Sequence, residues 1–160
     1  GLRQMHKILT NITEGKGKAG DIQTLEELSE TAIEASLCAL GKSAPNPFMS
    51  TLRYFRHEYE AHIDAKCCPA LSCKALISYY IDPDSCKACM MCLRKCPANA
   101  IDGGKKKIHV IDQEKCTKCG TCIEVCPARF SAIRKISGEP VPPPIPEEER
   151  IIAGKSSDHE

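Results

Sequence analysis

The chain has 160 residues, a formal net charge of +1, 4% aromatic residues, no tryptophan and twelve cysteines. That length holds one ordinary domain or two small ones. The near-neutral charge and scarce aromatics argue against a nucleic-acid surface or an anionic-membrane surface. So little aromatic bulk leaves a small core in need of another source of stability, which the cysteines supply through disulfides or metal.

Residues 1–64 read as helical. Leu2, Met5, Leu9 and Ile12 follow helical spacing from the first residues, and Gly1 is not an initiator Met. The chain is therefore read as a fragment of a longer polypeptide, beginning inside a helix. The first helix is expected to stop at the flexible stretch Gly15–Gly20. Thr24 and Glu27 form a capping-box pattern ahead of Leu25, Leu28, Ala32 and Leu37, with Gly41 as the stop. Asn46-Pro47 gives an N-cap followed by proline, and Phe48, Leu52, Phe55, Tyr59 and Ile63 recur on one helical face. The expected result is a small antiparallel helical bundle, or part of one.

Residues 65–76 form a cysteine-containing connector, and 77–136 a repeated module. Residues 137–160 hold Pro140, Pro142, Pro143, Pro144 and Pro146 before Glu147-Glu148-Glu149. Such a segment buries little apolar surface and is expected to be an extended, solvated tail. Lys105-Lys106-Lys107 is read as a solvated turn rather than a docking patch for an acidic partner. No apolar run approaches the roughly 20 residues of a membrane span.

The repeat carries the chemistry. Ile81-Asp82 opens one copy and Ile111-Asp112 the next, so that Cys86, Cys89, Cys92, Cys96 and Pro97 align with Cys116, Cys119, Cys122, Cys126 and Pro127. Cysteines three apart rarely bridge each other but converge well on one metal centre. A secreted disulfide scaffold is thereby disfavoured, and a reducing, cytoplasmic compartment is expected. Zinc sites close with four ligands, usually as two pairs. Two copies of three cysteines plus one, each followed by proline, instead match [4Fe–4S] ligation, in which the fourth cysteine serves the other cluster. Cys86, Cys89 and Cys92 then share a first cluster with Cys126, and Cys116, Cys119 and Cys122 share a second with Cys96.

These residues resemble the bacterial-type two-cluster ferredoxin family. The resemblance implies an α+β fold for Ile81 to about Ile136: two short hairpins on two short helices, a cluster at each end and Ile133–Ile136 as the closing strand. Arg129-Phe130-Ser131 adds two residues to the second copy, beside the first cluster. Lys87, Lys95, Lys115 and Lys118 are candidates for raising cluster potentials.

Gly1-Leu2-Arg3-Gln4-Met5, Ser36-Leu37-Cys38-Ala39-Leu40-Gly41 and Ala44-Pro45-Asn46-Pro47 resemble the C-terminal helical region of the NADH-oxidising flavoprotein subunit of complex I and of related NAD(P)-dependent hydrogenase and formate dehydrogenase subunits. The resemblance implies that Cys38 is an orphan ligand of a split cluster whose other three cysteines precede this chain. FMN and NAD are then expected only in the missing parent region. In the connector, His62, Cys68 and Cys73 form a candidate zinc site, with Cys67, His57 or an upstream residue as the fourth ligand; reduced structural cysteines and a surface histidine are the alternative. His6, His109 and His159 are read as ordinary surface or strand residues.

The functional reading is an electron-transfer segment of an NAD(P)H-linked oxidoreductase, not catalytic on its own. Its partners would be other subunits of that complex, with a ferredoxin or hydrogenase subunit as acceptor, and neither nucleic acid nor direct membrane insertion. A free-standing ferredoxin with a helical extension and a zinc-binding interaction module are the competing readings.

Overall fold

A computed structural model describes residues 1–152; His159 and the rest of the last eight residues lie outside them. The chain divides into two compact units, Gly1–Ile77 with Ser137–Glu139, and Ser78–Ile136 with the chain from Pro140.

The first unit is helical. Met5, Ile8 and Ile12 form one apolar stripe on α1 (Leu2–Thr13) and are buried. The second helix, α2 (Asp21–Ala35), begins a turn earlier than the Thr24/Glu27 pattern predicts. Gly20 enters with φ 90°, Asp21 accepts a hydrogen bond from the Lys18 N–H at 2.9 Å, and Thr24 donates to the Gly20 carbonyl from inside the helix. Asp21 thus does the capping work expected of Thr24. Gly41 is not a helix stop either. The chain leaves α2 at Ser36 and starts a new turn, α3 (Ala39–Ser43), with Gly41 inside it and Cys38 as the cap.

Pro45 precedes α4 (Asn46–Ile63), so its entry lies one residue before the expected cap. Phe48, Leu52 and Ile63 join Met5, Ile8, Ile12 and Leu25 in the core, and Tyr59 meets Phe48 edge-on at 5.8 Å. Phe55 departs from the expected face. It sits at a kink with φ −129° and is exposed, because a non-helical residue interrupts the 3.6-residue period.

The second unit shows the repeat in its backbone. The strand β1 (Ile77–Ile81) is matched by β3 (Lys107–Ile111), and α5 (Met91–Lys95) by α6 (Thr121–Val125), each 30 residues on. The returning strands, β2 (Ile101–Gly104) and β4 (Ile133–Ser137), are 32 apart, which locates the two-residue insertion before β4. β3 pairs with β2, and β4 with β1. Only β2–β3 is a hairpin; the other pair joins the first and last strands, so one of the two expected hairpins is replaced by a closure between sequence-distant segments. The hairpin tip falls at Lys105-Lys106, with φ 61° at Lys106, rather than at Asp102–Lys105.

The tail is not wholly extended. Glu147–Arg150 forms a 3-10 turn, Ile151 bridges to Lys107, and the Ile152 N–H donates to the Lys106 carbonyl at 2.8 Å. Lys107 pairs with Glu147, and Arg150 with Asp102. Charge pairing and edge-strand hydrogen bonds order this segment without an apolar core. Among the described residues no helix is long and apolar enough to cross a membrane.

Leu25 is fully buried at the centre of the helical core. Leu25→Ala is expected to destabilise that unit by about 2–5 kcal/mol, read as a lower urea midpoint of the helical circular-dichroism signal.

Candidate functional site

The second unit holds two small, partly enclosed cavities. Cys86, Cys89 and Cys92 line one of them together with Cys126. Cys116, Cys119 and Cys122 line the other together with Cys96. Each cavity therefore draws three cysteines from one loop and the fourth from the other half of the repeat.

Matching local structure builds both loops. Each starts where an aspartate carbonyl accepts a loop N–H, Asp82 from Cys86 and Asp112 from Cys116, both at 3.0 Å. Ala88 and Lys118 take φ 49° and 55°, and Met90 and Gly120 take φ 66° and 86°. These left-handed residues curl the loop so that every third side chain points inward. Cys92 and Cys122 then fall on the first turns of α5 and α6, and Cys96 and Cys126 terminate those helices.

Burial differs around each ring of sulfurs. Cys86, Cys92 and Cys122 are buried, whereas Cys89 and Cys119 are exposed. Burial, reinforced by the neighbouring sulfur of Cys86, pushes the Cys92 thiol up to about 12. Burial also pushes the Cys122 thiol up to about 11. The Thr121 hydroxyl beside Cys119, 3.4 Å from its sulfur, lowers that thiol. Deprotonating all four sulfurs of a cavity without a cation among them is therefore unfavourable. A metal centre removes that penalty.

The cavity walls are not identical. Ile81, Ile133, Phe130 and His109 border the Cys86 side, so the insertion contributes Phe130 to its wall. His109, read from the sequence as an ordinary strand residue, is in β3 but only 1% exposed, with Nδ1 3.6 Å from the Cys92 sulfur. Burial lowers its pKa, so the ring is neutral near pH 7. Tyr79 borders the Cys116 side. Sequence reasoning passed over both, although they occupy the same position in the two copies.

Of the lysines singled out, Lys87 borders the Cys86 cavity and Lys115 is tied to Asp112 at 3.0 Å. His6 is exposed.

In the first unit, His62, Cys68 and Cys73 converge with their ligand atoms all within 4.8 Å of one another. The imidazole is oriented from behind: Nδ1 meets the Glu58 carbonyl at 2.7 Å, and Nε2 lies 3.3 Å from the Cys73 sulfur. Burial acts to raise the Cys68 thiol, but N–H donors from Cys73 and Ser72 outweigh it and hold the thiol below its ordinary value. Burial, followed by the neighbouring Cys68, pushes the Cys73 thiol up to about 11. The two sequence candidates for a fourth ligand do not join this cluster. Cys67 faces the Ser137 carbonyl at 3.4 Å, and His57 is exposed because its position on α4 faces away from the core.

Cys38 is exposed, with Leu37 and Leu40 beside it almost fully solvated. Its sulfur accepts the Gly41 N–H at 3.4 Å.

Residues 1–62 match the family described as the NADH-ubiquinone oxidoreductase-F iron–sulfur binding region, and residues 79–134 match the 4Fe–4S dicluster domain. Over 109 residues, 68% of this chain, it is 47% identical to HndC, a component of the NADP-reducing hydrogenase of Solidesulfovibrio fructosivorans, and covers 22% of that protein. It is 41% identical over 63 residues to the NuoF-type component (F) of the NADH-quinone oxidoreductase of Streptomyces coelicolor, covering 39% of this chain and 14% of the relative. A similar stretch of 64 residues is 41% identical to the corresponding Escherichia coli protein, again 39% of this chain and 14% of the relative. The chain thus spans about a fifth or less of the length of these relatives.

In the iron-free chain at about pH 8, limited alkylation is expected to label Cys119 well before Cys92 and Cys122. Mass mapping that finds the three labelled at equal rates would contradict this burial pattern.

Proposed function

From a chain that joins an oxidoreductase-F iron–sulfur binding region to a 4Fe–4S dicluster domain, we propose the electron-relay segment of an NAD(P)H-linked oxidoreductase of the hydrogenase or NADH dehydrogenase type. The observation that carries this reading is the pair of cavities, each bordered by three cysteines of one loop and one from the other half. Four sulfurs from different directions are what a [4Fe–4S] cube requires. Cys86, Cys89, Cys92 and Cys126 would hold one cluster; Cys116, Cys119, Cys122 and Cys96 the other.

Each cluster, when bound, supplies one-electron redox capacity at a potential set by its surroundings. The chain's residues hold it, shield it and set those surroundings. Ile81, Phe130 and Ile133 limit water on the Cys86 side, and Tyr79 and Ile101 do so on the other. Exposed Cys89 and Cys119 mark where each cavity comes nearest to solvent, the natural side for electron exchange with another protein.

Cys38 is assigned as the fourth ligand of a further cluster whose other thiolates lie outside this chain. The Gly41 N–H already directed at its sulfur is the kind of donor that supports a ligating thiolate. FMN and NAD are assigned to the parent region, and other subunits, a ferredoxin or a hydrogenase subunit, act as partners in the cytoplasm. The chain alone, mixed with NADH and an acceptor dye, is expected to show no turnover.

The buried trio His62, Cys68 and Cys73 suits zinc: soft sulfur with an imidazole whose free nitrogen faces the site. His62→Ala is expected to release about one zinc per chain while iron content stays constant, as read by elemental analysis.

The crossed ligation has its own test. Cys126→Ser, in the second copy, is expected to damage the Cys86-side cluster and reduce iron from about eight to about four per chain. Loss of the Cys116-side signal instead would refute the crossed assignment.

A further inference from the structure

The two halves of the dicluster unit follow the same backbone path but differ at one matched pair. Position 79 in β1 and position 109 in β3 are equivalent under the 30-residue offset, and the first is tyrosine while the second is histidine. Both side chains are buried against their cavities. Tyr79 reaches Gly120 with its hydroxyl, which would lie 3.3 Å from a Cβ at that position. His109 places Nδ1 3.6 Å from the Cys92 sulfur, with Met90 Sδ 3.4 Å from Nε2 on its other side.

The surroundings are adapted to each ring. A Cβ at Gly103 would stand 2.0 Å from His109 Cδ2, so this glycine in β2 clears the space for the imidazole. Under the 32-residue offset of the returning strands, Gly103 corresponds to Lys135, whose ammonium lies 5.9 Å from the centre of the Tyr79 ring. Met90 corresponds to Gly120, yet keeps a side chain at φ 66°, a conformation that side chains disfavour. Three positions therefore change together between the copies.

Resting on the two-cluster reading above, we propose that His109 is a positioning residue that donates an Nδ1–H hydrogen bond to the Cys92 sulfur and makes the Cys86-side cluster the more easily reduced of the two. A ligating sulfur carries no proton and can only accept. It is also a far better acceptor than the Met90 thioether, so the ring's proton belongs on Nδ1. Reduction adds negative charge to the cluster and its sulfurs, and a fixed donor stabilises that state more than the oxidised one. Burial of the ring keeps the N–H dipole from being screened by water. The phenol at Tyr79 offers no N–H at the matching place. The sequence repeat thus supplies two near-identical sites, and one histidine sets their order along an electron path.

The test is an EPR-monitored redox titration of the anaerobically purified full chain, with histidine labelled by 15N. Two midpoints are expected, and the signal with the higher midpoint should carry a 15N coupling. His109→Phe should keep about eight irons, lose that coupling and lower that midpoint. The expected fall is on the order of tenfold in the reduction equilibrium, or about 59 mV for a one-electron couple. The other midpoint should stay in place. His109→Asn, whose amide nitrogen falls near the position of Nδ1, should restore most of the loss, which a merely space-filling role would not predict. If phenylalanine is not accommodated, the smaller His109→Leu is read in the same way. Full iron content with unchanged midpoints in these variants overturns the proposal, as does a 15N coupling on the lower-potential signal. A wild-type chain without iron overturns the cluster reading itself and this proposal with it, an outcome distinguishable from the others.

Discussion

A loop that curls around a cube can aim three side chains at it, but the fourth must arrive from elsewhere. That constraint shapes the second unit. Cys126, at the end of α6, borders the cavity built by the first loop; Cys96, at the end of α5, borders the cavity built by the second. Neither half is complete without the other. The pairing of β1 with β4 closes the unit between segments more than 50 residues apart. The buried thiols at Cys92 and Cys122 resist ionisation, so a protein-only form stores an electrostatic cost that metal binding offsets. Folding and metal loading are linked in such a unit.

Departures from symmetry are concentrated on the walls. The insertion before β4 brings Phe130 to the Cys86 side without disturbing the cysteine spacing, because it lies beyond Pro127. Two sites with identical ligand types can then differ only through what surrounds them, which for clusters is where potential is set. The first unit rests on ordinary helix packing around Leu25, yet it carries two further clusters of sulfur chemistry. One is the inward-facing trio at His62, and the other is the outward-facing Cys38 between solvated leucines. The inward trio has its histidine nitrogen already directed, whereas the outward cysteine has open space beside it.

Much of this was readable from spacing. The 30-residue repeat predicts which cysteines lie in equivalent loops, and β1, β3, α5 and α6 obey it residue for residue. What escaped was of three kinds. Helix boundaries were misplaced where two local signals competed: Asp21 caps a turn before Thr24, and Cys38 restarts the chain before Gly41 can stop it. Contacts between distant segments were invisible, as with Lys107 and Glu147, which order part of a tail whose composition alone implies an extended chain. Burial of single polar residues was also hidden. His109 looks like any strand histidine until Gly103 is seen to make room for it. In the connector, His62, Cys68 and Cys73 could be grouped by proximity, but only the path of α4 shows His57 facing solvent and Cys67 turned toward Ser137.

The most direct test of the central claim is iron and acid-labile sulfide analysis of the anaerobically purified chain, with EPR after dithionite reduction. About eight irons and eight sulfides per chain, with two magnetically interacting S = 1/2 signals, are the predicted result. Zinc in place of iron at the eight cysteines, or a colourless protein without labile sulfide, would contradict it and leave a structural metal-binding module.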